Sequence, residues 1–188
     1  MKPPTKAQLA RAGRKERIVA AARDIADAEG WSAVTVRRLA DSIGFSQPVL
    51  YGHFPDGREG IVRAVALDGF ARIAPFLRGD VRGVTTGYLT FARDNPAVYE
   101  AMFSLPTDLA FGTGAAPVEL RAAFAGLADA VGGDETRAET LWAALHGLAE
   151  LSRHGRLRPA AVQERIELLV ELLTPRGGRP GPGRTSGF

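Results

Sequence analysis

The chain has 188 residues, 45% hydrophobic and 24% charged, enough to bury a good core and to make one or two small domains. It has no cysteine, which excludes disulfides, thiolate metal sites and cysteine nucleophiles, and no apolar run approaches the length of a membrane span. A formal charge of +3, with charges rather than an apolar leader after Met1, Lys2, Pro3, Pro4, Thr5 and Lys6, makes a cytoplasmic protein the expectation.

Residues 1–13 read as a loose basic arm (Lys2, Lys6, Arg11) suited to lie against phosphates. Over 14–29 the apolar residues Ile18, Ala22, Ile25 and Ala26 form a stripe and predict a first helix, which Gly30 stops. Trp31 belongs to the core.

Residues 35–54, TVRRLADSIGFSQPVLYGHF, predict two short helices joined by a tight glycine turn. Thr35 is a good N-cap, and Val36, Leu39, Ala40 and Ile43 recur at helical spacing. Gly44 supplies the left-handed turn, Phe45 plugs the corner, and Ser46 recaps a second helix whose Leu50 and Phe54 face the core. Gln47, Pro48, Val49, Tyr51 and His53 are left outside. With Arg37 and Arg38 nearby, that surface has the donors to touch base edges and phosphates. Asp56 and Glu59 then form a capping box that opens a fourth helix through Ile61, Val65, Leu67 and Phe70, with Arg58 in its first turn.

This segment resembles the DNA-binding domain of TetR-type transcriptional regulators. The likeness is carried by Glu29-Gly30-Trp31, Val34-Thr35-Val36 and Leu50-Tyr51-Gly52-His53-Phe54. The run from Gln47 to His53 is similar to the Q-P-x-L-Y-x-H pattern of the tetracycline repressors, whose matching positions make base and phosphate contacts. The resemblance implies that Arg37, Gln47, Pro48 and Val49 meet base edges, while Thr35, Ser46, Tyr51, His53 and Arg58 hold phosphates. The family commonly places a phosphate-clamping lysine about three residues after the phenylalanine. Here that position is Gly57, and the role passes to Arg58 or to the backbone amides of the helix N-terminus.

Residues 71–174 carry helical periodicity and no strand alternation. One helix, with Tyr88, Leu89, Phe91 and Ala92, ends near Asp94 and Asn95; Pro96 opens the next, with Val98, Tyr99, Met102 and Phe103. A Gly- and Thr-rich loop spans 106–117, and its Gly112 and Gly114 lack the strand and third glycine of a phosphate loop. A helix over 117–131 leads to Gly132 and Gly133, after which Asp134 caps a long helix to about His154. Ala138, Leu141, Trp142, Leu145, Leu148 and Ala149 give this helix a wide apolar face. A last helix over 159–173 carries Val162, Ile166, Leu169, Val170 and Leu173.

Residues 142–148, WAALHGL, and the earlier Phe91-Ala92-Arg93-Asp94-Asn95-Pro96 with Tyr99 resemble the WHG-type subclass of TetR C-terminal domains. This resemblance implies a homodimer through helices 134–154 and 159–173. Tyr88, Phe91, Met102, Phe103, Phe124, Trp142 and His146 are candidates to line a small-molecule pocket, though a bundle needs such residues in its core anyway. His146, Glu150 and His154 share one stripe, but three successive turns span about 12 Å, too far for one ion, so no metal is expected.

The tail over 175–188 cannot bury anything and reads as disordered. Charge divides along the chain: residues 1–63 carry 11 Lys and Arg against 7 Asp and Glu, and residues 64–174 carry 10 against 14. A basic end joined to an acidic body suits a protein that holds a polyanion at one end.

The expectation is an all-α protein in four parts: the arm 1–13, a helix-turn-helix DNA-binding domain 14–63, a ligand-binding and dimerisation helical domain 64–174, and the tail 175–188. It is read as a ligand-responsive repressor that binds a palindromic double-stranded DNA operator as a homodimer and is released by a small-molecule effector. No cofactor is expected. An activator on the same fold is the alternative, followed by a metal-responsive regulator or a helical-bundle enzyme. For an enzyme the chain offers three histidines, no H-E-x-x-H, no G-x-S-x-G and no facing Glu-x-x-His pairs.

Overall fold

Thr5 opens the first helix, α1 (Lys6–Glu29), in a computed structural model that describes residues 3–105, 107 and 116–175. Its hydroxyl accepts from the Gln8 amide at 3.3 Å while the Gln8 side chain accepts from the Thr5 amide at 2.8 Å, a reciprocal box that satisfies two otherwise unpaired donors. Residues 6–13, expected as a loose arm, are therefore helical. The Thr5-x-x-Gln8 spacing was the local signal for it. Met1, Lys2, most of the 106–117 loop with Gly112 and Gly114, and residues 176–188 of the tail lie outside the described residues.

Gly30, at φ 81°, ends α1, and a single turn of 3-10 helix over Trp31–Ala33 leads to α2 (Val36–Ile43). Thr35 caps α2 by accepting from the Arg38 amide at 3.1 Å. Gly44 closes it at φ 68°, ψ 32°, a left-handed conformation that costs glycine little because it has no Cβ to crowd the carbonyl. α3 (Gln47–His53) follows, then α4 (Arg58–Ile73), α5 (Val81–Asp94), α6 (Pro96–Phe103), α7 (Val118–Ala130), α8 (Glu135–Arg153) and α9 (Val162–Leu173). Every regular element among the described residues is helical.

Two expected caps are absent. Ser46 holds the N-cap position of α3 but its side chain caps nothing, and Gly57 rather than Asp56 is the N-cap of α4. Gly57 adopts φ 59°, ψ −126°, which carries the chain past the point where Asp56 would reach an α4 amide; the Asp56 carboxylate instead pairs with Arg63 at 3.3 Å. By contrast, Asp134 caps α8 as expected, accepting from the Arg137 amide at 3.0 Å. The last helix begins with a 3-10 turn over Pro159–Ala161 before α9.

The chain divides into two compact units, residues 1–75 with 90–123 and residues 76–89 with 124–188, so α5 and α7 each contribute to both. In the first unit α1 packs on α2, α4 and α6, and its stripe (Ile18, Ala22, Ile25, Ala26) is buried, as are Leu39, Leu50 and Phe54. α4 and α6 cross closely: a Cβ at Gly69 would lie 2.6 Å from the Met102 sulfur and 2.7 Å from Val98 Cγ1. Trp31 is buried, and its indole N–H donates to the Ala97 carbonyl at 2.9 Å, which ties the start of α6 to the turn after α1.

In the second unit Leu77, Val81, Val84 and Tyr88 are buried, as are Leu127, Leu141, Leu145 and Ile166. Glycine again permits a close approach, since a Cβ at Gly126 would clash with the Leu77 carbonyl oxygen. Arg82 and Glu167 form a two-pronged ion pair with both N–H···O distances at 2.5 Å. No helix among the described residues is long and apolar enough to cross a membrane.

Candidate nucleic-acid interface

α3 is short, seven residues, and its side chains divide cleanly. Leu50 is 1% exposed and anchors the helix, with Phe54 buried just beyond it. Gln47, Pro48, Val49 and Tyr51 are exposed and His53 half-exposed, as the spacing predicts. Pro48 lies in the first turn, where its missing N–H breaks no helical hydrogen bond.

The helix is held from several sides. Arg11 donates from α1 to the Gly52 carbonyl at 3.1 Å, and Arg17 to the Ile43 carbonyl at 3.2 Å. The Arg17 guanidinium also lies over the Phe45 ring at 4.7 Å, and the Lys15 ammonium over Phe54 at 5.6 Å. These contacts fix the corner between α2 and α3, so α3 presents its outer face from a rigid support.

Around that face stand the other candidates. Thr35 is exposed, and its oxygen is used as a cap while its O–H remains to be donated. Ser46 is exposed at the head of α3. Arg37 is exposed on α2, whereas its neighbour Arg38 pairs with Glu29 at 2.5 Å. The His53 imidazole is held below its ordinary range by partial burial first, then by the positive charges of Arg11, Arg14 and Lys15. These cations make the α1 side of α3 positive. The sequence places Arg11 on a basic arm, and only the packing of α1 brings Arg14 and Lys15 beside His53.

Arg58, exposed in the first turn of α4, is also bonded within the chain. Its Nε donates to the Val34 carbonyl at 3.0 Å and a terminal nitrogen to the Trp31 carbonyl at 2.9 Å, so the guanidinium braces the turn between α1 and α2. These bonds use two of the five guanidinium N–H donors. The amides of the first turn of α4 are a second set of donors at this edge.

The candidate pocket residues fall in both units. In the first, Phe91 and Met102 are buried; Phe103 sits edge-on to Phe70 with centroids 5.5 Å apart and 4.8 Å from Tyr99. In the second, Tyr88 is buried, and Phe124 meets Trp142 edge-on at 6.3 Å. His146 is half-buried, and burial lowers its pKa against the opposing pull of Glu150. Thr85, one turn before Tyr88, is fully buried, and its hydroxyl has no hydrogen-bond partner among the described residues. His154 turns its Nδ1 to the Glu150 carbonyl at 2.8 Å, and no cluster of three or more metal-ligating side chains occurs among the described residues.

Comparison with known proteins finds two family models. The one for bacterial regulatory proteins of the tetR family matches residues 18–65, and a tetracyclin repressor-like C-terminal domain matches residues 81–173. A curated relative, the uncharacterized HTH-type transcriptional regulator Rv0681 of Mycobacterium tuberculosis, is 33% identical over 101 residues, 49% of this chain and 46% of the relative. The chain thus spans about half the length of the curated relative it matches. Among solved structures, the regulatory protein SCO4313 superposes with a TM-score of 0.70 at 21% identity, covering 91% of this chain and 98% of the other. A bacterial regulatory protein of the tetR family from Rhodococcus RHA1 gives 0.60 at 19% identity, covering 87% and 98%. At these identities the likeness is one of fold.

Proposed function

The chain belongs to the tetR family of bacterial transcriptional regulators, with a helix-turn-helix DNA-binding domain, and from that premise we propose that it is a ligand-responsive repressor acting as a homodimer on a palindromic operator. The observation that carries the reading is the outer face of α3. Gln47, Pro48 and Val49 stand exposed on a helix anchored by Leu50, with Thr35, Ser46 and Tyr51 around them. In this reading Arg37, Gln47, Pro48 and Val49 meet base edges in the major groove, while Thr35, Ser46, Tyr51 and His53 position the backbone. The role first given to Arg58 passes to the α4 amides.

One copy reads one groove, so a palindrome needs a second copy. The support for it is apolar surface on α8 and α9: Leu151, Val162, Leu168 and Leu172 are each at least 40% exposed. We assign helices 134–154 and 159–173 to the dimer contact. A small-molecule effector is supported by the second unit, where the unpartnered Thr85 hydroxyl lies in the interior, in a unit that also holds Tyr88, Phe124 and Trp142. Leaving a buried hydroxyl unbonded costs about 1–3 kcal/mol, so a ligand that bonds it has a built-in reason to bind. The effector releases DNA only by preferring a dimer whose two α3 helices are wrongly spaced, since equal affinity for both states shifts nothing.

The test is selection of duplexes from a random pool with the purified chain, followed by titration of variants. The selected site is expected to be two-fold symmetric, with half-sites one or more DNA turns apart. Gln47→Ala relaxes base preference, whereas Tyr51→Phe weakens all sequences alike. Equal effects of both variants on selected and random DNA would sink the assignment. The position of the selected site relative to a promoter separates repression from activation.

A further inference from the structure

α3 has two flanks. Tyr51, one turn beyond Gln47, lies toward Val36 and Gly57, on the α2 and α4 side. Val49, Gly52 and His53 are three and four residues apart, hence on one stripe, and with Arg11, Arg14 and Phe45 they line an open cleft of about 470 Å³ against α1. Arg11 is committed to holding this arrangement through its bond to the Gly52 carbonyl. Arg14, nearly one turn further along the same helix, is exposed and has no hydrogen-bond partner among the described residues. The lowering of the His53 pKa by Arg11, Arg14 and Lys15, after burial, registers the same positive field from within the cleft.

A helix seated in a major groove about 12 Å wide is bordered by two sugar-phosphate backbones, and contacts to both fix its register. Tyr51, Thr35 and the α4 amides serve one border only. We propose that α1 serves the other: Arg14, oriented by the Arg11 strut, clamps the DNA backbone on the α1 side of α3, opposite Tyr51. A helix carries this cation at a fixed place relative to Val49 and His53, which a loose arm would not do. The inference rests on the reading of α3 as the recognition helix.

Its test is the salt dependence of binding to a duplex selected by the wild-type chain. One phosphate contact contributes a slope of about 0.9 in log K against log salt. The homodimer carries two copies of this contact, so Arg14→Ala is expected to reduce the slope by about two and to weaken selected and random duplexes by the same factor, roughly ten- to hundredfold near 0.1 M salt. Arg14→Lys should restore most of the slope, and Arg78→Ala, an exposed arginine of the second unit, should leave it unchanged. A wild-type chain that selects and binds a duplex while Arg14→Ala keeps the full slope overturns this inference and leaves the proposed function standing. A wild-type chain that selects no duplex overturns both.

Discussion

The Tyr51 ring packs on Gly57: its Cε1 lies 3.2 Å from the point a Cβ on residue 57 would occupy. Gly57 stands where the family's clamp lysine is expected, and its φ of 59° with ψ −126° is a conformation that residues with a Cβ rarely adopt. Sequence and backbone are therefore matched at this corner, and a Cβ there presses on the ring of the residue assigned to the phosphates, which must give by a few tenths of an ångström. Gly57→Ala is expected to cost about 1–3 kcal/mol through backbone strain, and to weaken DNA binding further by displacing Tyr51. Thermal melting reads the first effect, and titration at a temperature where the variant is folded reads the second. Unchanged affinity in the folded variant would separate Tyr51 from the backbone contact.

Arg58 offers a choice between brace and clamp that experiment can make. With two N–H groups on the Val34 and Trp31 carbonyls, Arg58→Ala should lower stability by roughly 1–2 kcal/mol, a fall in Tm of about 2–8 °C. The slope of affinity against salt should not change. A slope reduced by about two, one contact from each copy in the dimer, with an unchanged melt, would return Arg58 to the clamp role.

His53 should titrate below the ordinary imidazole value of 6.5 and be neutral at pH 7. Because the unfolded chain binds the proton more readily, its contribution to stability is present above about pH 6.5 and is lost as pH falls below it. Burial is the first cause and the α1 cations follow, so Arg14→Ala should move the midpoint up without carrying it past 6.5. A histidine-resolved NMR titration reads this. DNA phosphates pull in the opposite direction, and affinity for DNA should rise from pH 8 to pH 5.5.

In the second unit, the Glu167 carboxyl is held down to about 2 by hydrogen bonds from Arg82 and then Gln163. Its contribution is present above about pH 4.5 and disappears as pH falls toward 2, because protonation breaks the bonds that favour the anion. The pair is about half-exposed, so 0.5 M salt should shrink the effect. Melting of Glu167→Gln from pH 6 down to pH 2.5 should show less acid-side loss than wild type. An identical loss would place the acid sensitivity elsewhere.

The helix-turn-helix was legible because its signals are local. Thr35 bonds an amide three residues on, Gly44 needs only its own φ and ψ, and Leu50 and Phe54 follow from helical spacing. The capping box of α1 is equally local in the spacing of Thr5 and Gln8, whereas the box expected at Asp56 and Glu59 has the right letters on the wrong backbone. Gly57 takes the chain through a region that no pattern of neighbours reveals.

What the sequence by itself determined is the all-helical class, the family and the outward face of α3, each a matter of spacing over one or two turns. Only the tertiary structure decided what the arginines do. Arg11 finds its acceptor 41 residues away, and Arg58 finds its two at 24 and 27 residues. A long flexible cation has many acceptors within reach, and chain order does not rank them. Packing chooses by placing a carbonyl within about 3 Å and leaving Arg14, one turn from Arg11, with none among the described residues.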